Sequence, residues 1–214
     1  MEEKGRNIRL YKILSRVRTL GPFERIGIWT QGCGRRCPGC ISPDSRDPEG
    51  GTGWETEKVV RFIEKHPEAE GLTVSGGEPF LQAEALCGVI DAIRRQRELG
   101  VIIYTGYTLE ELRSSGAPPF AEELLKRTDL LIDGPYVAAL DDEASLRGSS
   151  NQRVIPLTER YRPYLALYGV PGERRLDVKW DGDGLFAVGI PNRAAAEEHM
   201  RERNEPSELE GVQH

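Results

Sequence analysis

Three of the chain's four cysteines, Cys33, Cys37 and Cys40, lie in one short stretch with the spacing Cys-x3-Cys-x2-Cys. Three thiolates from one loop can hold three corners of a [4Fe-4S] cubane, whose irons each ordinarily take a cysteine. The fourth iron is then left without a protein ligand, and an open position marks a metal centre that performs chemistry. Gly32, Gly34 and Gly39 let the loop wrap closely, while Pro38 stiffens it. A mononuclear zinc site competes with this reading. It usually takes four nitrogen or sulfur ligands, and here the fourth could come only from the carboxylate of Asp44 or from a distant partner, with Cys87 on the apolar side of a predicted helix, His66 at a helix end and His199 and His214 in the tail. An electron-transfer cluster also competes, although it normally shows a fourth cysteine nearby. Cys87 reads as a small buried hydrophobe.

Gly76-Gly77-Glu78 is the second candidate. Glycines there permit close backbone approach to a ligand, and Glu78 adds negative charge; the same residues also suit a tight turn with Glu78 beginning a helix. Tyr104, Thr105 and Tyr107 are candidates for a cavity floor, with core packing as the alternative for the aromatic rings. Asp133 either faces the site or caps the turn at Gly134-Pro135. Arg147 and Arg153, set among small polar residues, read as a solvated loop.

These residues need a frame. Residues 25–30 alternate in apolar character and read as a strand running into the cysteine loop. Residues 41–53 are turn chemistry nearly throughout and read as loop. Val59, Phe62 and Ile63 place a helix at 55–66, and a short apolar strand at 72–75 ends in Gly76-Gly77. Leu86, Val89, Ile90 and Ile93 mark a longer helix that Gly100 is expected to stop. Strands are expected at 101–104 and 130–132, with a fifth at 151–155, and helices after the capping box Thr108/Glu111 and at 121–126. Strand–helix alternation implies parallel strands, with chemistry at their C-terminal ends. The pattern fits an α/β fold, either an open sheet or a partial (β/α) barrel. Beyond Pro156, the alternations Leu176/Val178/Trp180 and Phe186/Val188/Ile190 around Asp181-Gly182-Asp183-Gly184 read as a β-hairpin.

Composition narrows the function classes. The 214 residues carry a formal net charge of −6, which disfavours bulk nucleic-acid binding. The mean hydropathy is −0.50, and no run approaches the ~20 apolar residues of a membrane span. Arg9 and Lys12 interrupt the only apolar stretch near the N-terminus, so no secretory signal is expected and the chain is placed in the cytoplasm, where thiols stay reduced.

The cysteine spacing resembles that of the radical S-adenosylmethionine (SAM) superfamily. Thr30-Gln31-Gly32-Cys33, Arg36-Cys37-Pro38-Gly39-Cys40, Ser75-Gly76-Gly77-Glu78-Pro79-Phe80, Tyr104-Thr105-Gly106-Tyr107-Thr108, Leu131-Ile132-Asp133-Gly134-Pro135-Tyr136 and Arg147-Gly148-Ser149-Ser150-Asn151-Gln152-Arg153 follow in order. Together they resemble the activating proteins of anaerobic ribonucleoside-triphosphate reductases, which are activases of glycyl-radical enzymes. The resemblance implies a partial (β/α) barrel of the radical SAM type, a [4Fe-4S] cluster on Cys33, Cys37 and Cys40, and SAM chelated by the open iron. It further implies that one electron cleaves SAM and that the resulting 5′-deoxyadenosyl radical takes hydrogen from a glycine of the reductase. Gly76, Gly77 and Glu78 are then expected to receive the amino group of SAM, with Gly39 and Ile41 near its adenine. No catalytic residue is implied beyond the cluster and SAM. Implied partners are a glycyl-radical reductase and a one-electron donor such as flavodoxin or ferredoxin. The resemblance departs at Phe23, where a second glycine is usual, and at Ile41-Ser42-Pro43-Asp44, where histidine and asparagine are typical. Radical SAM chemistry on another protein, a peptide or a small molecule is the alternative, and a non-catalytic [4Fe-4S] electron-transfer or binding module is the rival from another class.

Four segments are expected: a basic N-terminal segment at 1–19, the radical SAM core at 20–155, an extension with the hairpin at 156–190, and an acidic, flexible tail at 191–214.

Overall fold

A computed structural model describes residues 7–168, 174–180, 184–192 and 194–195. The elements run β1 (Asn7–Val17), β2 (Arg25–Thr30), β3 (Thr52–Glu55), α1 (Thr56–Glu64), β4 (Gly71–Gly76), α2 (Ala83–Arg94), β5 (Gly100–Tyr104), α3 (Leu109–Leu112), α4 (Ala121–Leu125), β6 (Leu130–Asp133), β7 (Arg153–Pro156), β8 (Leu176–Trp180) and β9 (Leu185–Gly189). Seven strands form one sheet in the order β3-β1-β2-β4-β5-β6-β7, and β8 and β9 form a separate pair.

The centre of the sheet follows from its composition. β2, β4, β5 and β6 are short apolar runs that pair in parallel, and strands covered on both faces read as such runs. Their spatial order equals their order along the chain, with helices in the crossovers after β4 and β5, which is the winding of a partial (β/α) barrel. Ile26, Ile28, Leu72, Val74, Val101, Ile103 and Leu131 pack on Val59 and Ile63 of α1, Leu86, Ile90 and Ile93 of α2 and Leu124 of α4. Burying each such side chain contributes about 1.5–3 kcal/mol. The alternate residues of the same strands face the other way. There Trp29 joins Leu14, Val17 and Leu20, while Ile102, Leu130 and Ile132 join Tyr161 and the 3₁₀ turn at Arg162–Leu167, on the side that α1, α2 and α4 do not cover.

The flanks differ from the sequence reading. The strand expected at 151–155 is present as β7, but it pairs antiparallel to β6. On the other side, the basic N-terminal segment contributes β1, antiparallel to β2 and β3. Ile8 and Leu10 are buried between exposed Asn7 and Arg9, so a period-2 alternation lies beneath the positive charge. The stretch expected as loop at 41–53 holds a 3₁₀ turn at Pro43–Ser45, and its last two residues open β3. That strand exists through its pairing with β1, a contact that local turn propensity does not report. α2 ends at Arg94 and is capped by Arg95; Gly100 opens β5 instead of closing the helix. The capping box at Thr108 and Glu111 is present with both of its hydrogen bonds.

The hairpin forms as expected, with Val178 opposite Ala187 and Trp180 opposite Leu185. Of its turn, Asp181, Gly182 and Asp183 lie outside the described residues, as does most of the acidic tail beyond 191. The hairpin docks on the side of the sheet that α1, α2 and α4 leave uncovered. Val188 and Ile190 enter the cluster of Trp29, the Thr19 hydroxyl donates to the Val188 carbonyl at 2.9 Å, and the Arg18 amide donates to Asp177 at 2.9 Å. Just ahead of β8, the guanidinium of Arg174 is buried against the carboxylate of Asp141 and donates to the carbonyls of Ala144, Arg147 and Pro191.

Candidate active site

The cysteine loop starts where β2 ends, and the backbone closes it. Gln31 donates from Nε2 to the carbonyls of Asp44 (3.0 Å) and Asp47 (2.7 Å), tying the two ends of the loop together. The amides of Gly32 and Cys33 donate to Ser45 and Arg46 at 2.8 and 3.0 Å. From the neighbouring strand end, the amides of Gly77 and Glu78 donate to the carbonyls of Thr30 and Gly32 at 2.8 and 2.9 Å. The glycines are required here. Gly76 has φ +100°, and a Cβ on Gly77 would sit 2.2 Å from the Gly32 carbonyl oxygen. The two sequence motifs are therefore one packed unit.

Cys33, Cys37 and Cys40 are free and half-buried. All three line a cavity of about 580 Å³ together with Gly39, Ile41, Gly76, Gly77 and Glu78. Burial pushes the Cys33 and Cys40 thiols up, so in the protein alone they hold their protons. Among the described residues no three His, Cys, Asp or Glu side chains converge closely enough to hold one metal ion. A cubane takes its thiolates one to an iron, so its ligands surround a cluster and do not share a single centre. The three thiols on one loop facing one cavity thus fit a cluster bound by three cysteines. Cys87 is buried among the helices, its thiol pushed up to about 11 by burial, and lies outside the cavity lining.

Glu78 lines the cavity, yet its carboxylate is engaged by the protein. It accepts from the Phe80 amide at 3.1 Å, the Thr105 hydroxyl at 2.8 Å and the Gly106 amide at 2.9 Å. It is the N-cap of a 3₁₀ turn at Pro79–Gln82. Three donors pull its pKa down, but complete burial dominates and pushes it up to about 7. Glu78 thus braces the end of β4 against the end of β5, and Gly76 and Gly77 are left to present backbone to the cavity.

Of the remaining sequence candidates, Tyr104 and Thr105 line the cavity, whereas Tyr107 and Asp133 do not. Tyr107 lies under the Arg35 guanidinium at 4.4 Å, and Arg35 donates to Glu111 at 2.9 Å, which latches the cysteine loop to α3. Asp133 is fully buried and accepts from the Leu109 amide at 2.7 Å and from Arg153. It therefore orders the start of α3. The arginines expected in a solvated loop are ion-paired, Arg153 to Asp133 and Glu110, and Arg147 to Asp142. Between them, Gly148 and Gln152 reach the cavity lining.

One wall was missing from the sequence reading. Tyr11 of β1, Trp29 of β2 and Phe186 of β9 all line the cavity. The Phe186 ring meets Trp29 edge-on, with centroids 5.5 Å apart, and Tyr11 at 5.9 Å. The hairpin's alternation placed Phe186, Val188 and Ile190 on one face, but only the tertiary fold shows that this face meets the sheet.

The model of a family described as "4Fe-4S single cluster domain" matches residues 19–155. The chain is 29% identical over 140 residues to the anaerobic ribonucleoside-triphosphate reductase-activating protein of Enterobacteria phage T4, a match covering 63% of this chain and 85% of that relative. It is 27% identical over 143 residues to the protein of that name from Escherichia coli (strain K12), covering 63% and 89%. It is also 32% identical over 129 residues to the pyruvate formate-lyase-activating enzyme of Clostridium pasteurianum, covering 58% of this chain and 50% of that relative.

Proposed function

We propose, from the premise that the chain belongs to the 4Fe-4S single cluster domain family, that it is a radical SAM enzyme: it reductively cleaves S-adenosylmethionine and generates a glycyl radical on an anaerobic ribonucleoside-triphosphate reductase. The observation that carries this reading is the three-cysteine loop, whose thiols share one cavity with the Gly76-Gly77 backbone. The names of the relatives agree with it. When bound on these three cysteines, the cluster would supply the single electron for reductive cleavage of SAM.

The chain's own residues hold, orient and exclude. Cys33, Cys37 and Cys40 would hold three irons of the cluster, with Cys33 and Cys40 giving up thiol protons that burial otherwise favours. The backbone of Gly76 and Gly77 would receive the methionyl amino group, and Gly39 and Ile41 would flank the adenine. Glu78 acts through position, by fixing the ends of β4 and β5 relative to each other. Tyr104 and Thr105 form the floor, and the aromatic wall keeps water from the reacting fragment. A flavodoxin or ferredoxin supplies the electron, in the reducing cytoplasm that keeps the thiols free. No helix among the described residues is long and apolar enough to cross a membrane.

Anaerobic loading with iron and sulfide, followed by dithionite and SAM, tests the reading. Methionine and 5′-deoxyadenosine are expected, with a glycine-centred EPR doublet once the reductase is added. Cleavage without the doublet points to another protein, a peptide or a small molecule as substrate. No cleavage, with a cluster whose EPR spectrum does not respond to SAM, leaves an electron carrier and sinks the proposal.

A further inference from the structure

The hairpin that closes the cavity also presents a surface of its own. Its cross-strand pairs Leu176/Gly189, Val178/Ala187 and Trp180/Leu185 share one face. On that face Leu176 is 43% exposed, Val178 64%, Trp180 71% and Leu185 75%. The opposite face carries Phe186 and Val188 into the aromatic wall and the core. Four large apolar side chains side by side on a rigid element mark an interaction site, where scattered single ones do not.

We propose that this outward face of the β8–β9 hairpin docks an apolar surface of the radical-accepting reductase, beside the segment that enters the cavity. The inference rests on the reading of the substrate as a polypeptide. Continuity identifies the occupant: Leu176, Leu185 and Ala187 belong both to the exposed face and to the cavity lining. A polypeptide that presents a glycine to the cysteine loop must bring its flanking surface across these side chains. A small substrate held inside 580 Å³ has no use for Val178 or Trp180, which stand outside the cavity. Among the described residues the face carries no charge, so the complementary surface is apolar. The hairpin is held to the body by the buried Arg174–Asp141 pair and by the bonds from Arg18 and Thr19, so docking on it orders little new structure. It also lies beyond residue 155, where the family match ends, which separates recognition from the shared chemistry.

The test is an anaerobic titration of the cluster-loaded protein with the anaerobic ribonucleoside-triphosphate reductase of the same cell. Wild type is compared with the double variant Val178→Ser/Trp180→Ser. The Kd is expected to rise about tenfold or more, with 5′-deoxyadenosine formation in the absence of reductase unchanged; Trp180→Phe alone should keep the wild-type affinity. Unchanged affinity in the double variant overturns the proposal. So does a double variant that keeps its affinity but loses self-association, which assigns the face to a second copy of the chain. A wild-type protein that forms no 5′-deoxyadenosine overturns instead the reading on which the inference rests.

Discussion

The cavity has two walls built by different physics. The wall of the cysteine loop is backbone against backbone: amides of Gly32, Cys33, Gly77 and Glu78 pair across it, and glycines bring the chains too close for a Cβ. The hairpin wall is held by side chains, through the buried Arg174–Asp141 pair and the ring contacts of Phe186. The first wall admits almost no added atom at Gly76 and Gly77 and positions reactive groups. The second keeps its anchor fixed while its outward side chains are free to vary, which suits a surface that selects partners.

The largest effect should fall on the first wall. Cys37→Ala removes one of three ligands, and cluster retention and SAM cleavage should both be lost, beyond the roughly 10–100-fold seen when a group supporting a ligand is changed. Retained cleavage would contradict the assignment of the cysteines. The sharpest blow to the second wall is Arg174→Met. It leaves the Asp141 carboxylate buried without its guanidinium, at a cost of about 3–5 kcal/mol in urea unfolding. Adding Asp141→Leu should recover most of that loss, because an apolar pair of similar size replaces a desolvated ion pair. If Arg174→Met unfolds at the wild-type urea concentration, the pair does not anchor the hairpin.

The same contrast explains what was legible in the residue order. β2, β4, β5 and β6 are continuous apolar runs, and the chemistry-bearing residues follow two of them directly, so strands and site were readable together. β1 escaped because Arg9 and Lys12 stand among its apolar residues, and β3 because Thr52 and Gly53 carry turn chemistry until β1 pairs with them. Tyr107 follows a strand and Asp133 ends one, but the fold turns them to Arg35, Arg153 and the start of α3. Hairpin periodicity showed which residues share a face. It could not show that Phe186 would meet Tyr11 and Trp29, because that contact spans most of the chain.

Two small side-chain enlargements sharpen the difference between the walls. Gly77→Ala drives a Cβ to 2.2 Å from the Gly32 carbonyl oxygen and 2.8 Å from that of Ser45, both backbone atoms that cannot swing aside. It should cost about 1–3 kcal/mol and loosen cluster retention. Ala187→Val on the exposed face of the other wall should stay within about 0.5 kcal/mol. Equal costs in thermal unfolding would show that the two walls are packed alike.

The most specific effect appears only as a dependence on pH. The Glu78 carboxyl is pushed up to about 7 by burial, above its ordinary value of 4.5. A group raised on folding favours the folded state when protonated. That contribution is complete below about pH 4.5 and is lost as the pH rises through about 7. Glu78→Gln fixes the neutral form and removes the dependence. The stability of wild type relative to Glu78→Gln should therefore fall between pH 5 and pH 8 by at most about 3 kcal/mol, read from urea unfolding of the metal-free chain. Glu70, held below its ordinary value by the Tyr161 hydroxyl and by Arg160 against burial, and Asp91, held below its own by Arg127, titrate beneath this window and are common to both proteins, so they cancel. A difference that stays constant across the window would mean that Glu78 is ionised throughout. The brace between β4 and β5 would then be a charged one, held by Thr105 and Gly106 alike at either pH.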